Sequence, residues 1–254
     1  MNGSIRPQAM LSIPTTWTKR VVSRLKCPTS GVISRWKVST TVEPPLDCEV
    51  LEKPCTIVLV EDQELYKDSW VEPLRLSLPN DHGISFTSIT YSKASRLDDV
   101  LEEMKSDLPS ISDAVLVSRG PLVSWCAQFY LESFPLQGLV MVDPILFDNS
   151  ETEQTIRLLG MLHSQLETLD GVGMKTHLLE DCQSRKLKLE PNSVPMLVMH
   201  SLNDEASKCC SIETAKRHSD INGLFGAVPV EDISQNRSIG DIINKLDNWV
   251  DSIL

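Results

Sequence analysis

The groups in this 254-residue chain that are placed for chemistry are one serine, two histidines and four carboxylates. Ser118 opens the turn Ser118-Arg119-Gly120-Pro121, between an apolar run at 114–117 and a helical stretch at about 122–134. A serine hydroxyl attacks a carbonyl only when a base takes its proton and donors receive the developing oxyanion. His200, at the end of the apolar run 194–200, and His218 are the bases on offer. The plainer reading of each comes first. Ser118 is expected to cap its turn, with the role of nucleophile as the second reading. His200 is expected to be a satisfied core or loop histidine, with the role of base second. His163 and His177 stand without ligand spacing.

Glu61, Asp62, Asp143 and Asp204 each follow an apolar run, at the carboxyl ends of strands, where open α/β sheets bind ligands. Four carboxylates there either hold a divalent cation or form a solvated acidic rim, and the rim is the expected reading. Seven cysteines show no C-x-x-C pair. Cys209 and Cys210 are adjacent, and neighbours on a helix point about 100° apart, which suits a single metal poorly. An odd cysteine count favours reduced, buried thiols. No G-x-G-x-x-G or Walker-type loop occurs, so no metal, nucleotide or other cofactor is expected.

These groups depend on the elements that carry them. Residues 55–60 (CTIVLV) form a continuous β-branched run, as in a strand buried on both faces. A helical stretch at 64–78 follows, interrupted by Pro73, which should kink it or begin a new turn. Residues 84–90 alternate apolar with Ser and Thr, like a strand nearer the sheet edge. At 95–108, Leu97, Val100, Leu101, Met104 and Leu108 make one apolar helical stripe. The unit at 113–144 reads strand, turn, helix, strand (139–142), which is a right-handed βαβ crossover. An amphipathic helix at 151–169, stopped at Gly171-Val172-Gly173, and a short helix near 176–185 precede the strand 194–200. A helix at about 211–218, a frayed edge strand at 226–230 and a closing helix at 238–254 complete the order. That order describes a doubly wound, mostly parallel α/β sheet.

Charge divides the chain. Residues 1–42 hold seven Lys/Arg and no acid, leaving 17 basic against 35 acidic groups in the remainder, a balance of −18. A net charge of −11 argues against nucleic-acid backbone as a partner. No run of about 18 apolar residues occurs, so no membrane span is expected. The first segment is Ser/Thr-rich, and Trp17, Val21 and Leu25 recur at i, i+4, i+8 among basic residues. It reads as an organellar transit peptide, mitochondrial ahead of plastid, with a disordered basic arm as the alternative. The expected folded domain is therefore residues 43–254, with 43–53 as a linker.

Several of these phrases together resemble the α/β-hydrolase superfamily. The strand 55–60 followed by Ser69-Trp70 and Pro73-Leu74, Ser133-Phe134-Pro135 before a strand ending Val142-Asp143-Pro144, and the strand 194–200 followed by Asn203-Asp204 occur in that family's order. The resemblance covers about residues 50–254 and implies a short helical, lid-like insertion at about 145–190. It places the nucleophile position at Gly120, or at Pro121 by a second count, and the acid at Asp204. The family's G-x-S-x-G is not kept: Ser118-x-Gly120 retains a fragment, with Leu116 where the first glycine should be. Glu61-Asp62 replaces the oxyanion phrase. No histidine follows His218, so the base position is empty as well. The resemblance therefore implies a degenerate member, catalytically silent and serving as a binding or assembly module for an unidentified partner or ligand. An active esterase or thioesterase using Ser118 with His200 or His218 is the alternative.

Overall fold

The computed structural model describes residues 38–45, 50–61, 66, 68–90, 97–111, 113–146, 184–220, 223–235 and 238–254. Seven strands form one sheet: β1 (Val38–Val42), β2 (Thr56–Glu61), β3 (Ser85–Thr90), β4 (Ala114–Arg119), β5 (Gly138–Val142), β6 (Met196–His200) and β7 (Val230–Asp232). Their spatial order is β1-β3-β2-β4-β5-β6-β7. β1 runs antiparallel to β3, and every other pairing is parallel. Among the described residues five helices pack on it: α1 (Val71–Asp81), α2 (Leu97–Asp107), α3 (Pro121–Leu131), α4 (Glu205–His218) and α5 (Ile239–Ile253).

Alternation along the central strands explains the two-layer core. In β2, Ile57 and Leu59 join Leu74, Leu78, Leu246 and Val250 on the α1/α5 face. Val58 and Val60 join Met104, Leu122, Trp125 and Cys210 on the α2/α3/α4 face. Period-2 side chains with both faces covered give the continuous apolar runs of the sequence. α3 crosses the middle of the sheet and is buried on nearly every side, only Val123 being half-buried, so it carries no polar face. The end of α5 is tied down by Lys53, whose Nζ lies 2.6 Å from Asp247 and 2.5 Å from Asp251. His82 Nδ1, just after α1, meets the same Asp247 at 2.9 Å.

Four boundaries differ from the sequence reading. Val38–Val42 was expected to lie outside the fold, yet it pairs along its whole length with β3. Its β-branched Val-Ser-Thr-Thr-Val alternation fits an edge strand, and Thr41 Oγ1 lies 3.0 Å from Thr87 Oγ1 across the pair. α1 starts at Val71, with Pro73 inside its first turn, where a missing N–H costs no hydrogen bond. α4 starts at Glu205 rather than near 211, because Asp204 caps it by accepting the Ser207 N–H at 3.0 Å. The last strand is Val230–Asp232, after Pro229 rather than around it. The insertion helices expected at 151–169 and 176–185, and the basic segment before Val38, lie outside the described residues, save Ser184 and Arg185.

Candidate functional site

The sheet presents its carboxyl ends around the β4–α3 turn. Gly120 sits at that turn with φ 122° and ψ 153°, a region that only glycine enters without strain. Its N–H donates to Val142 O at 3.0 Å, locking the turn against β5. Pro121 follows as the first helical residue, a position that suits a fixed φ and a missing N–H.

Arg119, the last residue of β4, is 2% exposed and turns its guanidinium to the segment after β2. Nη1 donates to Asp68 O at 2.5 Å and lies 3.3 Å from Glu61 Oε2, and Nη2 reaches Asp68 Oδ1 at 3.2 Å. The guanidinium carbon stands 4.1 Å from the Tyr66 ring centre and 4.4 Å from that of Trp70. Glu61 also accepts from Ser69 Oγ and from Trp70 N at 3.2 Å. A buried ion pair of this kind is unforgiving: removing one member strands the other, at about 3–5 kcal/mol.

Asp143, after β5, is 1% exposed and holds a left-handed backbone, φ 52°. Its carboxylate accepts from Ser201 N at 2.7 Å, Leu202 N at 3.3 Å, Ser207 Oγ at 3.3 Å, Tyr66 O–H at 3.0 Å and Ser201 Oγ. It thereby joins the segment after β2, the β6–α4 turn and α4. Glu61 and Asp143 are consequently not parts of a solvated rim, as the sequence reading held. Both are buried and saturated with donors, which is how an interior tolerates a carboxylate. Asp62 lies outside the described residues.

The remaining candidates do not converge. Ser118 faces the α3 side of β4, wholly buried; its Oγ lies 3.1 Å from Ser124 Oγ and 3.2 Å from Val140 O. Gln128 Nε2 donates to Ser124 O at 3.2 Å, and Gln128 Oε1 lies 2.7 Å from His218 Nε2. His218 is thus committed to Gln128, and burial pushes its pKa down to about 4, leaving it neutral near pH 7. His200 is 3% exposed. Its Nε2 comes within 3.2 Å of Asp232 Oδ2 as an ion-pair contact, and neither ring nitrogen makes a hydrogen bond. Asp232 is held below the usual carboxylate range chiefly by Ser234, with His200 adding to it. Two surface grooves of about 270 and 390 Å³ open at the β6–β7–α5 edge, lined in part by Pro229 and Trp249; neither is lined by Gly120, Asp143 or Asp204.

Neither a family model nor a curated protein matches the sequence. Solved structures do match in shape. Est1E from Butyrivibrio proteoclasticus shares 11% identity at a TM-score of 0.56, over 85% of this chain and 94% of that one. The mouse alpha/beta hydrolase domain-containing protein 10 shares 14% at 0.55, over 86% and 95%. The RedJ thioesterase of Streptomyces coelicolor shares 11% at 0.52, over 82% and 94%. The chain has the α/β-hydrolase fold.

In an α/β-hydrolase fold the nucleophile occupies the strand-to-helix turn, and one oxyanion donor is the backbone N–H of the residue after it. In this chain the strand-to-helix turn holds Gly120, with no side chain, followed by Pro121, with no N–H. That a proline, with no N–H to donate, follows the turn glycine is legible in the sequence. Among the described residues after β2, Tyr66, Asp68 and Trp70 clasp Arg119. That clasp escaped notice because Arg119 lies 58 residues from Glu61 and 51 from Asp68 in the chain. After β7, where a base would stand, the chain places buried Ile233 and then Ser234, bonded to Asp232.

Proposed function

We propose that this chain is a catalytically silent α/β-hydrolase-fold protein that acts as a binding or assembly module. One observation carries the reading: Gly120-Pro121 at the elbow removes the attacking side chain and an oxyanion N–H in a single step. Three further features support it. Arg119 and its partners fill the strand ends beside the elbow. Ser118, the alternative nucleophile, is buried and bonded to Ser124 and Val140. His218, an alternative base, is neutral and bonded to Gln128. Losing the members of such a triad typically lowers turnover by several orders of magnitude. The seven basic and no acidic residues before Glu43 favour an organelle, mitochondrial ahead of plastid, as the place where the module works.

Affinity purification of the tagged full chain from isolated organelles tests the assembly role. The reading expects one stable complex of defined stoichiometry that survives size-exclusion chromatography. A chain that elutes alone, and that turns over esters, would point to the active esterase or thioesterase instead.

A further inference from the structure

We propose that Glu61, Tyr66, Asp68 and Trp70 form a binding cage for planar guanidinium cations, and that Arg119 is its resident ligand, tethered through β4. The cage has each part such a cation needs. Two aromatic rings lie at stacking distance, 4.1 and 4.4 Å. Two carboxylates, Glu61 and Asp68, and the Asp68 carbonyl receive the Nη edge. The charges balance unevenly, two acids to one cation, so the empty cage carries negative charge beside two ring faces. An ammonium group fits it poorly, being a compact, strongly hydrated point charge that neither stacks nor presents a flat fork of donors.

Two details mark Arg119 as an occupant rather than part of the frame. Its Nε–H is buried with no acceptor, a mismatch imposed by reaching the cage from β4. Asp68 also stays at the surface while it binds the guanidinium, its side chain 79% exposed against 3% for that of Arg119. Tyr66 is itself bonded to Asp143, so the occupied cage holds the segment after β2 down on the strand ends. The tether gives the internal guanidinium an effective concentration in the millimolar range or above, so dilute free ligand does not displace it. The inference does not rest on catalytic silence, because it is argued from the ring distances and the Nη contacts alone.

Substituting Arg119→Ala in the full chain should lower the thermal midpoint by roughly 5–15 °C. Guanidinium chloride, titrated far below denaturing concentrations, should then raise the midpoint saturably by several degrees, as a ligand specific to the native state does. Methylammonium chloride at the same concentrations should not, and guanidinium should raise neither the wild type nor Arg119→Met, where the cage is full. Absence of saturable recovery, or equal recovery with methylammonium, overturns the cage. If Arg119→Ala does not fold, Arg119→Lys decides: a midpoint at the wild-type value overturns the proposal, and a drop of several degrees upholds it. Ester turnover, measured separately, reports on the catalytic reading alone, so the two fail independently.

Discussion

At the scale of residues, several of the described buried polar groups are bonded to one another. Ser118, Ser124, Gln128 and His218 run as a connected line between β4, α3 and α4. His218 ends that line with Nδ1 unpaired, so its protonated form has nothing to gain inside the protein. Its folded pKa of about 4 lies below the 6.5 of an ordinary imidazole. Between those values the unfolded chain binds more protons than the native one. Stability from this site is therefore complete above pH 6.5 and drains away as the pH falls toward 4, by on the order of 3 kcal/mol. Urea midpoints measured across that window should fall with acid in the wild type and fall less in His218→Gln. Parallel curves for the two proteins would contradict the assignment. Asp143 and Glu61 make the complementary point: they end strands as the sequence reading had them, but donors gathered from distant segments take them out of solvent. Nothing local to either residue announces those donors.

Elements were legible where a period and a burial pattern coincide. α5 shows this best, because Ile242, Ile243, Leu246 and Val250 recur as one stripe and all four are buried against the α1/α5 face. Leu246→Ala should therefore cost about 2–5 kcal/mol in a urea titration, and the neighbouring, exposed Asn244→Ala within about 0.5 kcal/mol. Similar costs at the two positions would mean the helix does not dock through that stripe. The apolar runs of β2, β4, β5 and β6 were read for the same reason. Elements held by a cap or a register were not. α4 has no apolar period in its first turn, so its start was hidden behind the Asp204 cap. β1 is a polar edge strand that gains its identity only by pairing with β3. The turn at Gly120 was legible as a tight turn without a serine at its glycine; the clasp beside it was not, since ion pairs between distant segments leave no periodic trace.

At the scale of the whole molecule, the described strands form one continuous sheet, and the reading proposed above gives its carboxyl-end crevice to binding rather than catalysis. β1 covers the outer edge of β3, so the folded unit takes in Val38–Val42 ahead of Glu43. A chain cut to start at Glu43 should leave that edge bare, unfold at a lower temperature than one starting at Val38, and associate on size-exclusion chromatography. Equal behaviour of the two chains would make β1 dispensable. The central claim concerns the crevice, and labelling by a fluorophosphonate probe, followed alongside turnover of a short-chain nitrophenyl ester, tests it most directly. The intact protein should take up no label and cleave no ester above the buffer rate, and Gly120→Ser should not restore either activity, because Pro121 and the missing base remain. Stoichiometric labelling of the wild type, with turnover abolished by Ser118→Ala, would contradict the account.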